Sequence, residues 1–320
     1  MEKKEKKIPL INWQPPMVKV LYALIPLVLA SVYFFGWRCL LVIGTVNLAG
    51  FLMEYLFVRN WKEPVSAAVF VTSTLLALSL PPSIPLWMAV VGIVFGVVFG
   101  KMVFGGFGKN IFNPALTGRA FLYVSFAIPM TGKWNEPASG IPGGFAKFTT
   151  DAVTSATPMA AIKAGNAAPP FLSLLLGNTA GSMGETCALL IILGGLYLIW
   201  KKAANFRIVL GCFIGMMLLQ GTFWLMHIRH APDPLTTFLA GSVAFGLFFF
   251  TTDPISAAQT DEGRWIYGFV IGILTVIIRN FSAWPEGMMF AILLGNMFAP
   301  ITDYYIREFK ARKKKVVAAA

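Results

Sequence analysis

Apolar runs of roughly bilayer length alternate with short polar breaks along almost the whole chain. An α-helix rises 1.5 Å per residue, so crossing about 30 Å of hydrocarbon takes about 20 apolar residues. Ten runs are candidate spans: 18–37, 39–58, 65–80, 84–103, 113–130, 185–200, 205–226, 235–252, 264–279 and 287–304. The shorter ones need help from flanking turns. The run 171–177, FLSLLLG, is too short to cross and suits a re-entrant or interfacial piece. The pattern predicts an all-α polytopic membrane protein of about ten transmembrane helices.

Weak likenesses link the two halves. Span three ends in ALSLPP (77–82) and span eight in FFFTTDP (248–254); each is followed by a tryptophan, Trp87 or Trp265, and a glycine-containing span. Five spans per half would make two inverted repeats, a design that places sites at broken helices. The expected layout is an N-terminal arm (1–17), a first membrane half (18–130), a loop region (131–184), a second membrane half (185–305) and a basic tail (306–320).

Composition agrees. Of 320 residues, 57% are hydrophobic and 12% charged, about half the charged share usual in soluble domains. The basic start MEKKEKKIPLINWQPP leads into a long apolar segment without a small-residue cleavage pattern, so it is expected to stay in the mature chain. The net charge of +12 sits at the two ends and in short loops, without the interleaved aromatic and basic surface of a nucleic-acid groove. With ten spans both termini share a side. Most lysines and arginines then fall on that side, which the positive-inside rule makes cytoplasmic. The region 131–184 is thereby expected outside the cytoplasm. Cys39, Cys187 and Cys212 are far apart in or beside apolar segments, neither a disulfide framework nor a metal site.

Several polar motifs interrupt the apolar background. In GGFGKNIFNPALTGRAF (105–121), Gly105, Gly106 and Gly108 permit a tight turn, and Asn113 before Pro114 marks a helix start. Arg119 lies nearly two turns inside that helix, either snorkelling or facing an anion or cofactor. Asp253, in TTDP, either caps a helix or helps to hold a cation. In GNTAGSMGETCALL (177–190), Gly184 and Glu185 belong to a turn that suits helix amides, a phosphate or a flavin edge. Glu54, within a span, is a candidate for ion or proton movement, or else pairs with Arg59 or Arg119. Asp303 and Glu286 are the other acids in or beside spans. His227 and His230 have no ligand partners nearby, and no metal site is expected. Walker A, dinucleotide and HExxH fingerprints are absent. The stretch DAVTSATP (151–158) gathers Thr154, Ser155 and Thr157 before a proline.

Taken together, these motifs resemble one membrane-subunit family, shared by two complexes. It is the D-type membrane subunit of the Rnf ferredoxin:NAD oxidoreductase and the B-type membrane subunit of the sodium-pumping NADH:quinone reductase. The likeness runs from about residue 18 to 305. It rests on Gly105, Gly106, Gly108, Asn110, Phe112–Ala115 and Gly118–Phe121, on the turn 181–187, and on Thr252–Pro254. Cys187 stands where the family usually has Ser, and Ala258 where it often has Pro. The resemblance implies that Asp151, Ser155 and Thr157 form a flavinylation signal. Thr157 would carry FMN through a phosphoester, installed by a flavin transferase. It also implies a second, non-covalent flavin, riboflavin, for which Phe112, Arg119 and the Gly105–Gly108 turn are candidates. The implied role is an electron carrier in the inner membrane of a prokaryote, beside iron–sulfur and flavin subunits, with electron flow coupled to sodium or protons. The short N-terminal arm points to the Rnf member, and the quinone-reductase member is the alternative. A broken-helix transporter or channel without flavin is the competing class.

Overall fold

The computed structural model describes residues 9–132, 134–153, 157–228, 231–282 and 286–319. A two-residue strand, Ile11–Asn12, precedes α1 (Pro15–Phe35) and α2 (Arg38–Trp61), and pairs in parallel with Val65–Ser66. Then come α3 (Ala68–Leu78), α4 (Leu86–Gly100), α5 (Pro114–Ser125) and α6 (Ala127–Thr131). A short antiparallel pairing joins Trp134–Asn135 to Ala152–Val153. α7 (Pro158–Lys163), α8 (Phe171–Leu176), α9 (Ala188–Trp200) and α10 (Phe206–Leu225) follow. α11 (Pro234–Leu239) and α12 (Val243–Phe245) lead into a π-helical turn, Gly246–Phe250. α13 (Asp261–Phe281) and α14 (Met288–Ala319) complete the chain.

Among the described residues, six stretches are long and apolar enough to cross a membrane: α1, α2, Leu86–Phe104, α10, α13 and Met288–Lys315. This corrects the expected count of about ten, and the division into two inverted repeats of five falls with it. The runs 65–80, 113–130, 185–200 and 235–252 form shorter or broken helices. At 11 residues α3 is about 17 Å long, and at 13 residues α9 is about 20 Å, both short of the hydrocarbon thickness. Their hydrophobicity has another cause. In α3 every residue but Phe70 is buried, and Gly246–Phe250 is buried throughout. A helix apolar on all sides is one surrounded by other apolar matter, and here that matter is protein.

Broken helices leave backbone groups that must be satisfied inside the protein. At the end of α3 the carbonyls of Leu78 and Leu80 accept from the amides of Gly184 (2.7 Å) and Met183 (3.1 Å). At the start of α5 the Asn113 side chain accepts from the amides of Ala115 and Leu116, at 3.0 and 3.3 Å. The Asn113 amide in turn donates to Asn296 Oδ1 on α14, at 3.2 Å. One break is thus sealed by the 178–187 segment, the other by a neighbouring helix.

Full-length helices pack closely through glycine. A Cβ on Gly211 of α10 would lie 2.8 Å from the carbonyl of Trp265 on α13, and one on Gly268 would lie 2.9 Å from the amide of Cys212. Gly215 and Gly272 repeat this one turn further along. Such small-residue stripes let helix backbones approach closely in membranes.

Candidate functional site

The bundle has two ends, each with a buried cluster of charge. At the end where α1 begins lie also the end of α2, the 101–113 turn, the end of α9 and the start of α13. Contacts such as Lys19 Nζ to the Lys201 carbonyl (2.9 Å) and Arg207 to Asp261 (3.0 Å) tie them together. Here Glu54 Oε2 meets Lys101 Nζ at 2.5 Å, both side chains 2% exposed. Ser66 completes the cluster: its amide and hydroxyl donate to Glu54 Oε1 at 2.9 and 2.7 Å, and Lys101 donates to its Oγ at 2.6 Å. The partner of Glu54 is therefore Lys101 rather than Arg59 or Arg119.

Lys101 also lines an interior pocket with Phe107, Asn110, Asn113, Thr252 and Asp253. Asp253 accepts from the Ser256 hydroxyl (2.7 Å) and the Ile255 amide (3.3 Å). Asp303, on α14, holds the start of α13 by accepting from Gln259 N, Thr260 N and Thr260 Oγ1 at 2.6, 2.9 and 2.5 Å. Gly105 and Gly106 have φ of 101° and 90°, a left-handed conformation that glycine adopts without strain, and they bend the chain from α4 back toward Asn113.

At the opposite end, two remote segments converge on Arg119. Its Nη1 donates to Glu185 Oε1 at 2.9 Å and its Nη2 to Glu286 Oε2 at 2.6 Å. Only 2% exposed, Arg119 does not snorkel, and two carboxylates already face its charge. Gly184 fits because it has no side chain: a Cβ there would lie 2.7 Å from Leu78 Cβ. That contact places Glu185 beside Arg119.

Thr157 opens α7 as its N-cap, and its Oγ1 accepts from the Ala160 amide at 3.3 Å. It is half-buried and lines a narrow pocket with Ser182, Glu185, Gly241, Arg279 and Glu286. Two motifs 24 residues apart, the turn at Thr157 and the one at Gly181, therefore share one pocket. Asp151 is exposed six residues before Thr157, and Ser155 lies outside the described residues.

Arg279 and Lys101 are the site residues that sequence reasoning missed. Each is a cation at the end of a long apolar run, IGILTVIIR (271–279) and WMAVVGIVFGVVFGK (87–101), and burial at that position is the signal that would have found them. Arg279 is 1% exposed; its Nη1 and Nη2 donate to the carbonyls of Thr237 (2.9 Å) and Ala240 (3.1 Å), and its Nε has no partner.

Six full-length helices, broken helices sealed by polar caps and a buried charge cluster toward each end define a polytopic membrane protein with sites at its helix breaks. The family model for NQR2, RnfD and RnfE matches residues 11–312, and the chain belongs to this family of membrane subunits of ion-translocating oxidoreductase complexes. Its relatives include the B-type subunit of the Na(+)-translocating NADH-quinone reductase of Pseudomonas aeruginosa strain LESB58. That protein is 39% identical over 295 residues, covering 87% of this chain and 71% of the relative. The B-type subunits of the same enzyme in Ectopseudomonas mendocina and Klebsiella pneumoniae strain 342 are 40% and 37% identical over 280 and 306 residues. These alignments cover 85% and 88% of this chain, and 68% and 71% of the relatives.

Proposed function

We propose that this chain is the flavin-carrying electron-transfer subunit of an ion-translocating membrane oxidoreductase, with FMN joined to Thr157 by a phosphoester. The observation that carries the reading is the pocket itself: in a member of this family, Thr157 shares it with the Gly181–Glu185 turn and with Arg279, whose Nε lacks a partner. A half-buried threonine at a pocket edge is reachable by a flavin transferase while its product stays against the protein. A bound flavin supplies one-electron redox chemistry. Arg279 and the Gly181–Glu185 turn are the residues that would lie beside its phosphate.

The interior pocket by Lys101, Asn110 and Asn113 suits the second, non-covalent flavin, riboflavin. It offers amide groups, an aromatic ring at Phe107 and a buried cation. Glu54, Asp253 and Asp303 near the same end are the candidates for coupling to sodium or protons. In this reading both termini are cytoplasmic and Thr157 faces the other side of a prokaryotic inner membrane. Partners are the iron–sulfur and flavin subunits of the complex. The relatives' names favour the B-type subunit of a sodium-translocating NADH:quinone reductase over the Rnf member.

The test is peptide mass on chains made with an active flavin transferase, native against Thr157→Ala. The expected result is an FMN adduct on the Thr157 peptide of the native chain alone. No adduct on the native chain would remove the reading. With the assembled complex, NADH-driven quinone reduction is expected; ferredoxin-driven NAD reduction instead would return the assignment to the Rnf member.

A further inference from the structure

Among the described residues, the fully buried cations are Lys101, Arg119 and Arg279. Lys101 has Glu54, and Arg119 has Glu185 and Glu286. Arg279 has no carboxylate within salt-bridge distance, and the acids outside the described residues are only Glu2 and Glu5. Its two carbonyl acceptors are neutral. They satisfy hydrogens without cancelling the charge, and Glu286 and Glu185 in the same pocket act on it only from beyond salt-bridge distance while paired with Arg119. Its Nε stays unpaired.

We propose that Arg279 is the cationic partner of the phosphodiester that joins the flavin to Thr157. This rests on the reading of Thr157 as the flavin site. Both residues line the same pocket, and Gly241, with φ of 69°, lies against the guanidinium where a Cβ would come within 3.2 Å of Nη2. α7, which Thr157 begins, is held to the end of α13 by Lys163 Nζ donating to the Ser282 carbonyl at 3.0 Å. Arg279 lines this pocket beside Glu185 and Glu286, and both carboxylates are already held by Arg119. A phosphodiester carries one negative charge and would give Arg279 a directly bonded anion, which the carboxylates held by Arg119 do not. Arginine suits the task because its planar fork can keep two carbonyls while other N–H groups meet phosphate oxygens.

The competing explanation is that Arg279 only caps the carbonyls at the end of α11. The two differ in what lysine can do. Lysine supplies the charge without the planar fork, so an anion-binding role survives in it as a flavin-dependent stabilisation, whereas a capping role alone gives no dependence on flavin in any variant. The full chain is made with and without the flavin transferase, as native, Arg279→Gln, Arg279→Lys and Thr157→Ala. Covalent flavin per chain and the melting temperature in detergent are measured for each.

Flavinylation is expected to raise the melting temperature of the native chain by about 2 °C or more. The rise should be absent in Thr157→Ala, lost in Arg279→Gln and largely restored in Arg279→Lys. Flavin loading in Arg279→Gln should fall about tenfold, the scale of one charge-assisted hydrogen bond. A native chain with an adduct but no rise overturns the proposal even if the Gln variant cannot be recovered. Equal loading and equal rise in Arg279→Gln, or a Lys variant no better than Gln, also overturns it. A rise that persists in Thr157→Ala does not come through Thr157 and overturns the flavin linkage; equal melting temperatures with and without transferase that drop in Arg279→Gln assign the anion to a free or lipid phosphate and overturn it too. A native chain with no adduct overturns the Thr157 reading as well.

Discussion

At the residue scale, the Glu54–Lys101 pair shows how burial decides what a charge can do. Each ion alone would be expensive at 2% exposure, and together with Ser66 they satisfy one another. Glu54→Gln therefore leaves Lys101 as an uncompensated buried cation and is expected to cost about 3–5 kcal/mol. The double variant Glu54→Gln with Lys101→Met removes both charges and should recover most of that loss. Thermal unfolding in detergent checks this, and a double variant as unstable as the single one would refute the pairing account. The same pair bears on coupling: if Glu54 takes part in ion movement, the recovered double variant carries fewer ions per electron than the native complex. The sequence made Glu54 visible as an acid in a span. It did not reveal Lys101 as its partner, because 47 residues separate them and only the fold brings α2 and α4 together.

At the element scale, hydropathy located most of the helices but not the lengths of all of them. The Asn113–Pro114 step was readable because a capping side chain before proline is a local signal. α3 and the 243–250 segment read as spans because an apolar run reports burial without saying whether lipid or protein does the burying. The seal on α3 was equally invisible, since it joins Leu78 and Leu80 to Met183 and Gly184 across about a hundred residues. That seal gives a prediction. Gly184→Val would push its side chain into Leu78, break the amide–carbonyl contacts and displace Glu185 from Arg119. A loss of about 1–3 kcal/mol is expected from overpacking alone, on the scale of other crowded cores. Flavin loading at Thr157 should fall with it. Gly181→Ala, where a Cβ would meet Thr186 Cγ2 at an ordinary 3.4 Å, serves as the mild control for melting temperature.

At the scale of the whole molecule, the two ends differ in charge, and the proposed orientation rests on this. The end with Lys19, Lys101, Lys201, Arg207 and Arg264 continues into the basic turns of α14, with Arg307, Lys310 and Arg312. The Thr157 end has far fewer basic side chains, and Arg119 and Arg279 there are buried. Under the proposed orientation, the positive-inside rule would make the α14 tail cytoplasmic and set Thr157 on the far side. Because Cys39, Cys187 and Cys212 are all buried, thiol chemistry can read this directly. A membrane-impermeant maleimide should label Asn166→Cys, in an exposed stretch near Thr157, in intact cells with the outer membrane permeabilised. Arg312→Cys, whose native side chain is 76% exposed, should be labelled only after the inner membrane is opened. The reverse pattern would put Thr157 in the cytoplasm. That would remove the reason for a covalent tether, because flavin lost from a cytoplasmic site can be replaced from the cell's own pool.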